Sequence, residues 1–367
     1  MKKFLTLATL MIVATSLFAA CAGGNSNQVT GLSGGDGVTI GVSMPTQDLQ
    51  RWNQDGQNLQ RLLIERGFEV NLQFGGNDVP TQVAQLENMI ASGADVLVVA
   101  AIDGDSLTEV LGQAESAGIP VIAYDRLIMN TSAVTYYATF DNFLVGVLQG
   151  EFLRDALDLP NQPGPFNIEF FTGDPGDNNI NFFFPGAMSV LQPFLDDGTL
   201  VSPSGQTAIT EVATIGWSTE NAQTRMENLI ALNNLTPGGT PLHAVLASND
   251  STANGVTNAL ITAGFTPENF PIITGQDADI VSVRNMIAGT QAMSVFKDTR
   301  VLAENVADMV AQIVNGETVT INNTTDYDNG VFVVPTYLSV PIVATIDNYR
   351  ELLIDGGYYT EEEIGAN

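Results

Sequence analysis

What this 367-residue chain has little of already excludes several chemistries. Its single cysteine, Cys21, allows no internal disulfide. Its single histidine, His243, lies at the entrance of an apolar run, the wrong end for a site. A Ser–His pair or a histidine-built metal centre therefore has no material. Lysine and arginine number 12 against 41 acidic residues, for a net charge of -29. A polyanion of this kind does not wrap nucleic acid and is not drawn to an anionic membrane surface. No HExxH, Walker A or GxGxxG motif follows a strand-like run. GxSxG occurs once, at Gly31–Gly35, where no strand precedes it. The run Asp326-Tyr327-Asp328-Asn329-Gly330 lacks the downstream glutamate of a calcium loop and reads as a turn. No enzyme, cofactor or metal is expected. A glycosidase is the rival enzyme class, because Asp125 and Asp277 could form its carboxylate pair.

What is present begins with an export signal. Met1-Lys2-Lys3 is basic, residues 4–18 are mostly apolar, and Ala19-Ala20-Cys21 follows. The apolar stretch is short for a membrane span and fits a secretory signal over 1–20. Leu17-Phe18-Ala19-Ala20-Cys21 resembles the bacterial lipobox, which implies acylation of Cys21. Residues 22–37 are rich in Gly, Ser and Asn and read as a flexible tether. The expected location is outside the cytoplasm, held to the membrane only by lipid.

From residue 38 onward, short β-rich apolar runs alternate with segments of helical spacing. The runs cover 38–42, 70–74, 96–101, 121–124, 136–140, 166–171, 244–247, 272–274 and 292–296. Between them Val83, Leu86, Met89 and Ile90 recur at three- and four-residue steps. Pro80 fits the first turn of that helix and Gly93 its left-handed stop. About ten such units imply βαβ connections and parallel sheets. They fit two lobes, or one closed eight-stranded barrel.

Polar residues gather at the carboxyl ends of these runs, where open α/β sheets bind ligands. Asp125-Arg126, Asp141-Asn142, Ser248-Asn249-Asp250, Gly275-Gln276-Asp277 and Lys297-Asp298 all sit there. Asp and Asn at such places also cap the next helix, but Arg126 and Lys297 are poor caps. Once the signal is removed, Lys297 is the only lysine left. The two tryptophans, Trp52 and Trp217, fall one in each proposed lobe, where core packing is the alternative role. Together these residues suit a sugar. Indole faces cover its C–H faces, and carboxylates, amides, Arg and Lys meet hydroxyls that both donate and accept.

The motifs SMPT…RW, QLENMIASGADVLVVAAIDG, VIAYDRLI, YYATFDN, DNNINFFFPGAM, ASND, TGQDAD and FKDTR are similar to those of the periplasmic binding proteins for pentoses and hexoses. The likeness is especially to xylose-binding proteins and ChvE-type multiple-sugar receptors. The resemblance implies two similar doubly wound parallel-sheet lobes joined by a three-segment hinge. It assigns 38–141 plus 298–329 to the first lobe and 142–297 plus 330–359 to the second. It places sugar contacts on Arg51, Trp52, Asp125, Arg126, Asn142, Trp217, Asn249, Asp277 and Lys297. The loop Asp177-Asn178-Asn179 matches as well; the resemblance leaves open which of its residues touches sugar, Asn178 being the candidate, and Phe182 and Phe183 are further candidates. The implied partners are one monosaccharide and the permease and ATPase of an ABC importer. Some members also report to chemoreceptors or sensor kinases. A monomer is expected. The alternative ligand for the same fold is a signal molecule, such as a furanose autoinducer, or a purine nucleoside.

Overall fold

The computed structural model describes residues 37–365. The export signal, Cys21 and nearly all of the tether lie outside them. The chain opens with β1 (Thr39–Met44), α1 (Gln50–Glu65), β2 (Glu69–Phe74), α2 (Val79–Ala91), β3 (Val96–Val99), α3 (Thr108–Ser116), β4 (Val121–Tyr124) and β5 (Val134–Phe140). Local chemistry sets the ends of these elements. Asp78 caps α2 by accepting from the Thr81 N–H, Pro80 sits in the first turn, and Gly93 follows at φ +83°. β3 and β4 are buried along their whole length. Continuous apolar strands of that kind belong in a parallel sheet covered on both faces.

The second half runs α4 (Asn142–Ala156), β6 (Phe166–Phe171), α5 (Ile180–Asp196), β7 (Leu200–Val201), α6 (Thr219–Asn233), β8 (Ala244–Ala247), α7 (Asp250–Thr262), β9 (Ile272–Ile273), α8 (Ile280–Ala288) and β10 (Met293–Phe296). Then follow α9 (Thr299–Asn315), β11 (Thr336–Ser339), β12 (Ile342–Thr345) and α10 (Glu361–Ile364). The first sheet has the order β11-β5-β4-β3-β1-β2, with every pairing parallel. The second has the order β7-β6-β8-β9, also parallel. A bridge from Gln276 to Val295 joins it to the antiparallel pair β10-β12. Separate apolar cores fill both faces of each sheet. Two open doubly wound sheets of this kind exclude the closed barrel.

The chain passes between the sheets three times: after β5, after β10 and after β11. The last pass corrects the boundary expected after residue 329. Thr336–Ser339 pairs in parallel register with Tyr137–Phe140, so residues 330–339 stay with the first sheet. The exit comes at Val340-Pro341, where proline offers no N–H to continue a ladder.

Candidate functional site

The carboxyl ends of the two sheets face one another across a small cavity. From the first lobe come Leu49, Arg51 and Trp52 at the start of α1, and Asp125 and Arg126 after β4. From the second come Asp177, Asn179 and Phe183 around the start of α5, then Trp217, Asn249, Gln276, Asp277 and Lys297. Eight of the ten residues expected from the sequence thus converge. The space left among them is about 20 Å³, enough for roughly one water.

The charges in the lining balance: three cations (Arg51, Arg126, Lys297) against three carboxylates (Asp125, Asp177, Asp277). Arg51 Nη2 donates to Asp125 Oδ2 at 2.9 Å, and its Nη1 to Asp277 Oδ1 at 3.2 Å. Lys297 Nζ lies 3.1 Å from Asp277 Oδ1 and 3.9 Å from Asp125 Oδ2. Arg126 Nε lies 2.9 Å from Asp177 Oδ2. The Arg51–Asp277 and Arg126–Asp177 pairs cross from one lobe to the other. Burial would raise Asp125, but Arg51, Lys297 and Arg126 outweigh it and hold it below the usual carboxylate range. Burial raises Asp177 against the pull of Arg126. Burial works against the Arg51 charge too, yet Asp125, Asp55 and Asp277 keep it firmly protonated.

The two indoles occupy different settings. The guanidinium carbons of Arg51 and Arg126 lie 4.5 and 5.0 Å from the Trp52 ring centroid. Trp217 donates Nε1–H to Asp177 Oδ2 at 3.2 Å and meets Phe183 edge-on. Its ring rests on Gly173, where a Cβ would come within 2.0–2.2 Å of it. Asp125 (φ +58°), Trp217 (φ +54°) and Asp277 (φ +95°) are all left-handed, a conformation costing a bulky residue about 1–3 kcal/mol. Their surroundings hold them there. The Asp125 carbonyl accepts from Tyr137 Oη, Thr139 Oγ1 and Asn179 Nδ2 at 2.6, 2.9 and 3.0 Å. The Trp217 carbonyl accepts from Ser251 Oγ, and Asp174 accepts from the Gly216 N–H beside it. Beyond Asp277, the buried Asp250 carboxylate accepts from the Asp279 N–H, Gln291 and Ser294. Burial, with Asp279 and Asp277 nearby, raises Asp250 well above its ordinary range.

Two expected contacts fall elsewhere. Asn142 is buried at the start of α4 and donates to Asn179 Oδ1 at 3.1 Å and Thr139 Oγ1 at 3.3 Å. It therefore supports Asn179 from behind and does not line the cavity. Asn178 turns away and accepts from Asn181 Nδ2 in the entry turn of α5. Its neighbours on both sides, Asp177 and Asn179, face inward. Phe183 lines the cavity, while Phe182 packs on Tyr327 with ring centroids 5.0 Å apart. Leu49 and Gln276 also line the cavity; Leu49 carries no sequence signal, whereas Gln276 stands at a strand end. Asp141 and Asp298 cap α4 and α9, whereas Asn249 both caps α7 and lines the cavity. His243 Nδ1 accepts from the Asn167 N–H at 2.8 Å, at the entrance of β8. Among the described residues no group of three His, Cys, Asp or Glu is placed to hold a metal ion.

Residues 40–318 match the periplasmic binding protein domain. The multiple sugar-binding periplasmic receptor ChvE of Rhizobium radiobacter is 46% identical over 353 residues, which cover 95% of this chain and 98% of that protein. The D-xylose-binding periplasmic protein of Escherichia coli K12 is 35% identical over 327 residues, 89% of this chain and 92% of that protein. A crystal structure of an ABC transporter solute binding protein from Clostridium phytofermentans, with bound β-D-glucose, superposes with a TM-score of 0.86. It is 57% identical and covers 89% of this chain and 99% of that one. A match of this extent, on two lobes that bring their strand ends together, makes the chain a member of the periplasmic binding protein family.

Proposed function

We propose that this protein binds one free aldose, a pentose or hexose, between its lobes and delivers it to the permease and ATPase of an ABC importer. The observation that carries the proposal is the charge-balanced polar ring with both indoles, drawn from both lobes around one cavity. A neutral polyol suits it. Three cations and three carboxylates leave no net charge for an ionic ligand to neutralise. Hydroxyls can exchange for the partners these side chains now give one another, at about 1.5–3 kcal/mol for each bond to a charged group. A hexose of about twelve heavy atoms needs roughly −0.7 kcal/mol per atom for micromolar affinity, well inside the ceiling for small ligands. The relatives' ligands, β-D-glucose and D-xylose, point the same way.

A sugar reaches so small a space only when the lobes part. The three passes between the sheets then serve as a hinge, and the Arg51–Asp277 and Arg126–Asp177 pairs form on closing. Arg51, Trp52, Asp125, Arg126, Asp177, Asn179, Trp217, Asn249, Asp277 and Lys297 are the proposed contacts. The protein is a binding protein of a family that works outside the cytoplasm, and not an enzyme. Acylation of Cys21 is proposed as its tie to the membrane. Mass spectrometry of the exported chain should find an acylated Cys21, and a free thiol there contradicts the anchor. Titration calorimetry with xylose, arabinose, glucose, galactose and fucose tests the sugar proposal. One site per chain at micromolar affinity or better for at least one of them is expected; no heat with any of them refutes it.

A further inference from the structure

We infer that Asp55, a fully buried carboxylate outside the cavity, is the positioning residue that holds Arg51 in its sugar-binding pose, with Tyr124 setting its charge state. This inference rests on the sugar-binding proposal above. Asp55 lies one helical turn after Arg51 on α1 and does not touch the cavity. Its Oδ2 accepts from Arg51 Nε at 3.0 Å and from Nη2 at 2.9 Å. Its Oδ1 accepts from the Tyr124 hydroxyl, which is also fully buried at the end of β4. The carboxylate thus grips the rear edge of the guanidinium. The second Nη2 hydrogen and Nη1 remain for Asp125 and Asp277, the two carboxylates that share the cavity with Arg51. Arg51 hydrogen-bonds both of these, one from each lobe, where Lys297 is close to Asp277 at 3.1 Å and farther from Asp125 at 3.9 Å. A small rotation of its fork would therefore misplace the donors on which closure depends. An arginine held from behind by a charged, planar acceptor loses little rotamer freedom when it meets a ligand.

The groups facing Asp55 make its charge conditional. Arg51 on its own helix favours the anion, as does the Tyr124 hydroxyl, while Asp125 after β4 opposes it. Tyr358, from the C-terminal segment, feels the same charge. Burial is the largest influence and pushes the Asp55 carboxyl up to about 6. The signs of the two consequences differ. Folding prefers protonated Asp55, so this group's contribution to stability falls as pH rises from the ordinary carboxylate range to about 6. The grip on Arg51 needs the anion, so sugar affinity rises across the same window. A residue with only a structural role would not produce opposite trends.

The experiment is calorimetry with D-glucose and D-xylose on the full-length protein from about pH 5 to pH 8, with thermal melts alongside. Wild type, Asp55→Asn and Tyr124→Phe are compared. Asp279, pushed to about 7 by burial and by Asp277, titrates nearby, so the readout is the difference between variant and wild type. Asp55→Asn is expected to bind roughly tenfold or more weakly at the upper end, from the weakened charged bonds. Its affinity should also lack the Asp55 step. Tyr124→Phe removes a donor to the anion, so the midpoint of its affinity profile should move to higher pH. Wild-type affinity and slope in Asp55→Asn would overturn the inference. Should Asp55→Asn fail to fold, a Tyr124→Phe profile superposing on wild type overturns it instead. Where the wild type is silent toward both, an aldose of the five-sugar panel that does bind replaces them, and silence toward all five at every pH refutes the sugar proposal itself, and the inference with it.

Discussion

The two lobes share a plan and differ in how they hold their side of the cavity. The first is a six-stranded, all-parallel sheet, and most of its contribution rides on regular structure. Arg51 and Trp52 lie in the first turn of α1, where Asp55 and a stacked pair of guanidinium groups fix them. The second is smaller, with an antiparallel edge, and its side chains stand on irregular loops. Trp217 and Asp277 are left-handed there, propped by Gly173, Gly216 and the buried Asp250 network. Cations dominate the first side and carboxylates the second, with Asp125 and Lys297 crossing that division. The lesson is that complementarity across the gap is built from unequal halves: one carried mainly by a helix, with strain only at Asp125, the other by loops that hold the strained Trp217 and Asp277.

That contrast can be broken most sharply at Lys297. Lys297→Met keeps the length and removes the charge that faces Asp277 and Asp125. It should weaken glucose binding by about a hundredfold or more, on the scale of 3–5 kcal/mol for breaking a buried pair. Calorimetry reads this directly, and a change below tenfold would mean that Arg51 alone compensates the carboxylates.

The strained half is probed next. Trp217→Ala should cost about tenfold or more through the lost ring. Gly173→Ala should approach the same loss without touching the cavity, since its Cβ has no space beside the indole. Intrinsic fluorescence should shift in Gly173→Ala, and unchanged emission and affinity would show that the loop relaxes freely. The α5 entry turn gives a finer test. Asn179→Ala should weaken binding by about tenfold, because it removes a lining amide and one of three donors to the Asp125 carbonyl, whereas Asn178→Ala should stay within about twofold. Equal effects would contradict the inward and outward facing of these neighbours.

The smallest effect concerns the far end of the second sheet. Burial lowers the His243 pKa, and its Nδ1 must be unprotonated to accept from Asn167. A depressed histidine loses its contribution to stability as pH falls below its ordinary value. His243→Gln should therefore flatten the mild loss of melting temperature on acidification while sugar affinity is untouched. An affinity change in this variant would tie the sheet entrance to the cavity.

Much of this architecture can be read from residues alone, for identifiable reasons. Continuous apolar runs mark β1, β3 and β4, and three- and four-residue spacing marks α2, because each is buried by its own apolar pattern. The strand-end rule finds Asp125, Arg126, Asp277 and Lys297 because parallel sheets leave polar ends in one place. β7, β11 and β12 escape, being short edge strands whose pairing partners are distant in sequence. Asn178 is indistinguishable from Asp177 and Asn179 in the sequence, because periodicity does not say which side of a three-residue turn faces inward. Asp55 is invisible to sequence for a related reason. A carboxylate one turn from an arginine on a helix looks like a surface pair until Tyr124 is seen to close over it.

A crystal structure of the protein grown with D-glucose tests the central claim most directly. One pyranose should lie between the lobes, within bonding distance of Asp125, Asp277 and Lys297, with its C–H faces toward Trp52 or Trp217. Sugar density only on an outer surface, with the Arg51–Asp277 and Lys297–Asp277 pairs intact and the cavity unchanged, would contradict it.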